Sequence, residues 1–113
     1  MFIKDFEFDF DFYDVNDAER FEKAYAEMHA TDTSGSTASE ICKKQIAAVK
    51  TFLNTVLGEG AYEKLVDKPT NVKNNVDALY LLIDVYEEYA RETANYKKEK
   101  EKQYSKYLPK NRR

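Results

Sequence analysis

Histidine and cysteine carry much of the acid–base, nucleophilic and metal chemistry of proteins, and this sequence holds one of each, His29 and Cys42. No Cys/His cluster and no nucleophile motif accompanies His29, which falls at the end of a predicted helix, where a cation favours the helix dipole. Cys42 falls in the first turn of another predicted helix, where a thiol can be activated, but it stands beside Ile41 on an apolar stripe. We therefore interpret His29 as a structural or neutral residue and Cys42 as a small buried hydrophobe.

A row of acidic residues near the start of the chain has the residue type that calcium prefers. The acids are Asp5, Glu7, Asp9, Asp11 and Asp14. A calcium loop gathers its oxygen ligands around a turn made by a glycine, whereas here aromatic residues stand between the acids and no glycine is present. Because an extended chain would spread these carboxylates along one face, we interpret them as a solvated strand face and expect no metal site.

Two segments invite comparison with phosphate-binding sites. Gly58-Glu59-Gly60 lacks the Gly-Lys-Ser/Thr pattern and the strand context of a phosphate loop, so it is interpreted as a helix–helix turn. The basic segment 97–113 could contact nucleic acid through phosphates, with Tyr104 and Tyr107 as stacking groups. Two glutamates interrupt it and the rest of the chain is acidic. We therefore favour a solvated helix end or a protein-docking tail over a nucleic-acid site.

Length and charge bound the class of protein. The chain has 113 residues, of which 42% are apolar and 35% charged, and these values fit one helical domain with long solvated faces. The net charge of −3 is the sum of −9 over residues 1–96 and +6 over residues 97–113. The sequence shows no secretory signal and no membrane-spanning run, and a single cysteine excludes an intrachain disulfide. We expect a soluble cytoplasmic protein that is not an enzyme and needs no cofactor.

The first element is predicted to be a β-strand over residues 6–12. Apolar and acidic residues alternate there with period 2, and phenylalanine fills every apolar position, which places the rings on one face. One strand is not stable alone. It must lie on a helix face, pair with Phe2-Ile3 through a bend at Lys4-Asp5, or pair with another chain.

Capping patterns open and close the next two helices. Asn16 followed by Glu19, and Thr37 followed by Glu40, form capping boxes, and Gly58 stands where a left-handed residue ends a helix. The first helix is predicted over about 17–30, and the second extends from the capping box at Thr37 to Gly58.

A short helix at 61–66 and a last long helix, capped by Thr70 or Asn71, complete the prediction. The predicted apolar face of the last helix consists of Val72, Val76, Leu79, Tyr80, Ile83, Tyr86, Ala90 and Thr93. From residue 95 onward this helix should leave the core and continue into solvent. The fold class is therefore mainly α, with an N-terminal β-strand or short hairpin followed by three long helices and one short helix. We predict a domain over 1–96 and a basic, Tyr-containing helical extension or tail over 97–113.

Four segments of the sequence resemble a family of small proteins from the tail modules of long-tailed phages and prophages of Gram-positive bacteria. The segments are Phe8–Asp14, Asn16–Ala24, Phe52–Gly60 and Lys106–Arg113. That family is similar in size and helical content to tail assembly chaperones. The resemblance implies a non-enzymatic assembly factor that acts in the infected cell and binds the tape measure protein or the tail tube protein. The alternatives are a minor virion protein, such as a tail connector or completion protein, and a host-directed regulator.

Protein binding is predicted at the aromatic head and the basic tail of the chain. The candidate residues are Phe6, Phe8, Phe10, Phe12, Tyr104, Tyr107, Leu108, Arg112 and Arg113. A homo-oligomer is a further expectation, because an acidic, unpaired aromatic strand could meet the basic tail of a second copy. The alternative is that Phe2-Ile3 or a helix covers the rings within one chain.

Overall fold

Four helices follow a small N-terminal hairpin in this computed structural model, which describes residues 1–105. The elements are β1 (Phe2–Ile3), β2 (Phe6–Glu7), α1 (Val15–Ala30), α2 (Ala38–Leu57), α3 (Ala61–Leu65) and α4 (Val72–Ser105). The predicted fold class is confirmed: the protein is mainly helical, with a hairpin, three long helices and one short helix. The chain divides into two units, Met1–Ile83 and Asp84–Arg113, whereas the sequence placed the end of the domain at residue 96.

The N-terminal strand is shorter than predicted. β1 and β2 pair antiparallel in the register Phe2↔Glu7 and Ile3↔Phe6, through a turn in which Lys4 has a positive φ of 54°. The Phe8 N–H donates to the Met1 carbonyl at 2.7 Å, and beyond it the described backbone bonds are local turns. The prediction of a strand through residue 12 is therefore wrong, because β2 ends at Glu7 and the backbone that follows bonds to itself within a few residues.

Every second residue from Phe8 to Phe12 is buried, as predicted, although this segment is not a strand. Phe8, Phe10 and Phe12 are each at most 5% exposed, while the acids between them lie at the surface. Phe6 departs from the pattern and is 38% exposed. Turns can bury every second side chain as a strand does, so the alternation predicted the burial of Phe8, Phe10 and Phe12 but not their backbone conformation.

The first helix begins two residues earlier than predicted. Its N-cap is Asp14, whose Oδ1 accepts hydrogen bonds from the backbone N–H groups of Asn16 and Asp17 at 2.9 and 3.2 Å. The prediction that Asn16 is the N-cap is therefore wrong, because Asn16 lies inside α1. A carboxylate at this position also interacts favourably with the positive end of the helix dipole.

The second helix has the predicted N-cap, Thr37. Its Oγ1 accepts from the Glu40 N–H at 3.2 Å, and the Glu40 carboxylate accepts from the Ser36 N–H at 3.1 Å. At the other end of α2, Gly58 has φ 104° and ψ 163°. The φ is positive, as expected for a glycine that ends a helix, but the conformation is not the predicted left-handed helical one. The left-handed helical conformation is found at Gly60, the N-cap of α3, with φ 87° and ψ −7°.

The core of the first unit is an aromatic and aliphatic cluster on α2. Phe52 is 1% exposed, and its ring lies 5.7 Å from the ring of Phe21 on α1, which in turn lies 5.1 Å from Phe12. Leu53 and Val56 are fully buried. The N-terminal segment therefore covers the seam where α1 packs against α2.

The buried face of α4 differs from the predicted one. Asn71 caps the helix, its Oδ1 accepting from the Asn74 N–H at 3.0 Å, and the buried residues that follow are Asn75, Ala78 and Leu82. The predicted core residues Val76 and Tyr80 are 38% and 55% exposed, so the predicted face is wrong by one position. One position corresponds to about 100° of rotation around a helix. The predicted solvation of the helix end is confirmed, since residues 94–105 are all exposed.

A polar network explains this rotation. The Asn75 Nδ2 donates to the carbonyls of Pro69 and Asn71 at 3.0 and 2.8 Å, and its Oδ1 accepts from the Tyr62 hydroxyl at 2.6 Å. Because a buried amide is tolerated when its hydrogen bonds are satisfied, Asn75 occupies a core position that a search for apolar residues would not assign to it.

Candidate protein-binding surfaces

Three of the four predicted phenylalanine site residues, Phe8, Phe10 and Phe12, lie in the protein's own core. The rings of Phe10 and Phe12 meet edge to face at 4.7 Å, and Phe12 continues into the cluster on α1 and α2. Phe6 is partly exposed, and the Lys64 Nζ lies 5.8 Å from its ring centroid. Phe2, which was not proposed as a site residue, is 65% exposed.

This burial removes the reason given for self-association at the head of the chain. The strand was expected to lack a partner and to expose its rings, but β1 pairs with it and helices cover the rings. The intramolecular alternative is thus the one observed. Protein binding at Phe6 stays a prediction. Phe6 lies on the surface of the hairpin and not within a long aromatic strand.

Asp17, an acid that follows the N-terminal acidic row, has a structural role together with Arg20. The Asp17 carboxylate accepts from the Asp11 N–H at 2.9 Å and from the Arg20 Nη1 at 3.1 Å. Arg20 also donates from Nε and Nη2 to the Val56 carbonyl at 3.2 and 3.0 Å, and its guanidinium lies 5.4 Å from the Phe10 ring centroid. The carbonyls in the last turn of a helix lack partners within that helix, so Arg20 ties the head of the chain to the end of α2. Sequence reasoning missed this role because it joins residues 36 positions apart.

A groove of about 420 Å³ runs between α1 and α2. Small side chains line most of it, and an aromatic ring lies at its base: Ala24, Ala47, Ala48, Thr51, Thr55 and Phe52. Charged side chains stand at one end, where Lys44 donates to the Ser34 carbonyl and Asp32 accepts from the Ser34 N–H at 2.9 Å. The Ser34 hydroxyl and N–H hold the pKa of Asp32 below its ordinary value. The sequence analysis did not predict this groove. The sequence feature that could have indicated it is the set of small residues on one side of α2: Ala47, Ala48, Thr51 and Thr55.

The second unit presents a regular stripe on α4. The α4 stripe consists of residues at alternating three- and four-residue spacing: Tyr86, Tyr89, Thr93, Tyr96, Lys100 and Gln103. Tyr86 and Tyr89 lie 6.3 Å apart between ring centroids, and the Lys100 Nζ lies 5.5 Å from the Tyr96 centroid. Tyr96 is 62% exposed. The Thr93 hydroxyl is buried and has no hydrogen-bond partner among residues 1–105.

The C-terminal site prediction lies mostly beyond the part of the chain that the structure describes. Tyr104 is on α4 and 66% exposed. The remaining predicted residues fall outside residues 1–105: Tyr107, Leu108, Arg112 and Arg113. Binding there stays a prediction.

His29 and Cys42 are the residues first considered for chemistry. His29 is exposed in the last turn of α1, with its ring 4.5 Å from that of Tyr25. Cys42 is half-buried and free, so the expectation of a fully buried side chain is corrected. Within residues 1–105, no three His, Cys, Asp or Glu side chains come together as a possible metal site. No helix in that range is long and apolar enough to cross a membrane.

Comparison with known proteins places the chain in one family. Neither a curated protein nor a solved structure matches it. Residues 4–113 match a family described as a family of unknown function, DUF6673. Because the match spans nearly the whole chain, this protein belongs to the DUF6673 family.

Proposed function

We propose that this protein is a non-enzymatic phage tail assembly chaperone or morphogenesis factor that binds the tape measure or tail tube protein in the host cell cytoplasm. The phage assignment is supported by the resemblance of the four segments described above. Protein binding is supported by the groove between α1 and α2. The proposal requires no cofactor and no catalytic residue.

The groove is the observation that carries the proposal, and a helix is the occupant that fits it. Alanines and threonines along its wall allow a third helix to approach α1 and α2 closely, and Phe52 gives the contact an apolar base. Glu27, Asp32 and Lys44 supply charges of both signs at the edge, where polar groups set the orientation of a partner. A third helix packed at about 8–10 Å from the other two would cover the exposed apolar atoms.

The test is co-purification with the tape measure protein and, separately, with the tail tube protein of the same genome. Thr51→Arg places a long charged side chain in the groove, and Gln45→Arg places the same side chain elsewhere on the surface of α2. We expect wild type and Gln45→Arg to bind one of the two proteins, and Thr51→Arg to bind about ten-fold or more weakly, a loss of about 1.4 kcal/mol or more. Circular dichroism checks that both variants are folded.

The proposal fails if neither tail protein is retained, or if a folded Thr51→Arg variant binds as tightly as Gln45→Arg. Mass spectrometry of purified virions then separates a chaperone from a minor virion component. We expect the protein to be absent from the particle, and its presence there at a fixed copy number would favour the connector or completion protein.

A further inference from the structure

We propose that the groove between α1 and α2 binds an amphipathic helix of about three turns that presents a lysine or an arginine to Glu27. This inference rests on the proposed function in one respect, that the groove binds a helix, and it adds the length, the apolar pattern and the charge of that helix. The groove lies wholly within the first unit, Met1–Ile83.

The walls of the groove set the length of the partner helix. The lining residues of α2 extend from Lys44 to Thr55, a separation of 11 positions, which is about 17 Å at 1.5 Å per residue. The other wall begins at Ala24 on α1 and ends at Asp32 in the loop that follows. A partner helix that covers the α2 wall therefore has about 11 residues along the groove, or about three turns.

Small side chains in the groove predict large apolar side chains on the partner. Ala47, Ala48 and Thr51 line the α2 wall, and the half-buried Met28 lines the α1 wall. Helices that bind in apolar grooves place their anchors at positions i, i+3 or i+4, and i+7. Anchors of the size of leucine or methionine at this spacing would fill the space that the alanines leave and would contact Met28.

Charge complementarity identifies the remaining chemistry of the partner. Among residues 1–105, the charged side chains that line the groove are Glu27, Asp32 and Lys44. Lys44 donates to the Ser34 carbonyl, and Asp32 accepts from the Ser34 N–H at 2.9 Å. The Glu27 carboxylate has no hydrogen bond and no ion pair with any of residues 1–105. Because Asp32 and Lys44 carry opposite charges, the net charge of the lining is that of Glu27.

The charged residues next to the groove do not pair with Glu27 either. Arg20 on α1 donates to the carbonyl end of α2 at 3.0 Å, and Glu40 on α2 accepts from the Ser36 N–H at 3.1 Å. Lys23 lies one turn before Glu27, but no ion pair joins them, and a lysine four residues before a glutamate is the less favourable order on a helix. The other charged side chains of α1 and α2 do not line the groove.

A cation on the partner helix would therefore balance the charge of the groove. A bound helix removes water from the groove, and a partly buried pair of opposite charges is screened much less than an exposed pair. An acidic residue at the same place would be repelled by Glu27 for the same reason. We therefore expect the groove to select a helix with a basic residue beside its apolar face and to reject one with an acidic residue there.

Selection of helical peptides tests the inference without either tail protein. The probe is a yeast-displayed library of helical peptides of about 14 residues, randomised along one side. We expect the peptides that bind wild type to share the apolar spacing described above and to carry a lysine or arginine at one fixed place beside it. Binding that is lost in Thr51→Arg identifies the groove as the site, because Thr51 lines it.

Two charge reversals on α1 test the pairing. Glu27→Lys reverses the charge in the groove, and Glu22→Lys makes the same change of net charge at an exposed position that does not line it. For a peptide selected on wild type, we expect Glu27→Lys to weaken binding about five- to ten-fold and Glu22→Lys less than two-fold, measured by fluorescence anisotropy. Replacing the basic residue of the peptide by glutamate should restore binding to Glu27→Lys. Circular dichroism checks that both variants are folded.

The inference is overturned if no peptide binds wild type in the groove, if the bound peptides show no preference for a basic residue, or if Glu27→Lys and Glu22→Lys weaken binding equally. These results are separate from co-purification with the tail proteins. If basic helices bind the groove but neither tail protein is retained, the inference stands and the proposed function fails. If a tail protein is retained while one of the overturning results is obtained, the proposed function stands and the inference fails.

Discussion

The buried hydrogen bond between Tyr62 and Asn75 offers the sharpest test of how the first unit is held together. The Asn75 Nδ2 faces two carbonyl acceptors, those of Pro69 and Asn71, so the amide can take only one orientation. Its Oδ1 then faces the Tyr62 hydroxyl, 2.6 Å away. Tyr62→Phe removes the hydroxyl and leaves this oxygen, in a residue that is 1% exposed, without its donor.

The expected loss of stability is about 1–3 kcal/mol, because an unsatisfied buried acceptor costs more than an average hydrogen bond contributes. For a domain of under 100 residues, each kcal/mol lowers the melting temperature by roughly 4–8 °C. A loss of about 2 kcal/mol therefore corresponds to roughly 8–16 °C. Thermal melts followed by circular dichroism at pH 7 measure the shift.

Tyr80→Phe is the matched control, since it deletes the same atom from a side chain that is 55% exposed. We expect it to melt within a degree or two of wild type. If Tyr62→Phe and Tyr80→Phe melt at the same temperature, the hydroxyl of Tyr62 does not stabilise Asn75 and the account of the α4 face is wrong.

The same contact predicts a dependence on alkaline pH. Burial raises the pKa of the Tyr62 hydroxyl above its ordinary value of 10.0. Between the unfolded and the folded pKa, the unfolded state binds fewer protons, so stability falls as pH rises through this window. Below pH 10 the contribution is fully present. Tyr62→Phe lacks this ionisation, so the gap between its melting temperature and that of wild type should narrow above pH 10.

Three further experiments test the buried face of α4, the N-cap of α1 and the contacts of Arg20. Leu82→Ala, at a fully buried position, should cost about 2–5 kcal/mol in urea unfolding, whereas Val76→Ala, at a position predicted from sequence to be buried, should cost less than about 1 kcal/mol; equal costs would restore the predicted face. Asp14→Ala should cost about 1 kcal/mol by removing the N-cap of α1, and Asn16→Ala close to nothing; the reverse order would return the cap to Asn16. Arg20→Ala should cost about 1–3 kcal/mol and increase amide hydrogen exchange around the head of the chain, because the Val56 carbonyl and Asp17 lose a charged partner; unchanged exchange there would show that the rings alone hold the segment.

Local chemistry made the kinds and order of elements predictable from sequence. Thr37 with Glu40, the glycines after α2, and the 3–4 spacing of apolar residues each act within a few positions of the chain, so they can be recognised without knowing the fold. The head of the chain shows the limit of such patterns. Alternation predicted the burial of Phe8, Phe10 and Phe12 but not the exposure of Phe6, and strand pairing depends on β1, which is only two residues long.

The contacts that sequence reasoning missed are those that join distant positions. Arg20 reaches the carbonyl end of α2, and Tyr62 satisfies Asn75 across the loop before α4. The groove likewise exists only where α1 and α2 lie side by side, so the small residues of α2 do not predict it by themselves. Each depends on tertiary proximity, for which one sequence carries no direct signal.

The two halves of α4 show how composition adds to periodicity. The 3–4 repeat runs on from the first unit into residues 84–105, so spacing alone does not mark where the core ends. Residue type does: Ala78 and Leu82 are buried, whereas the repeat continues with Tyr96 and Lys100, whose polar ends need water. Tyrosine and lysine side chains tolerate solvent because their polar ends stay hydrated, so residue type marks a change along α4 that spacing does not.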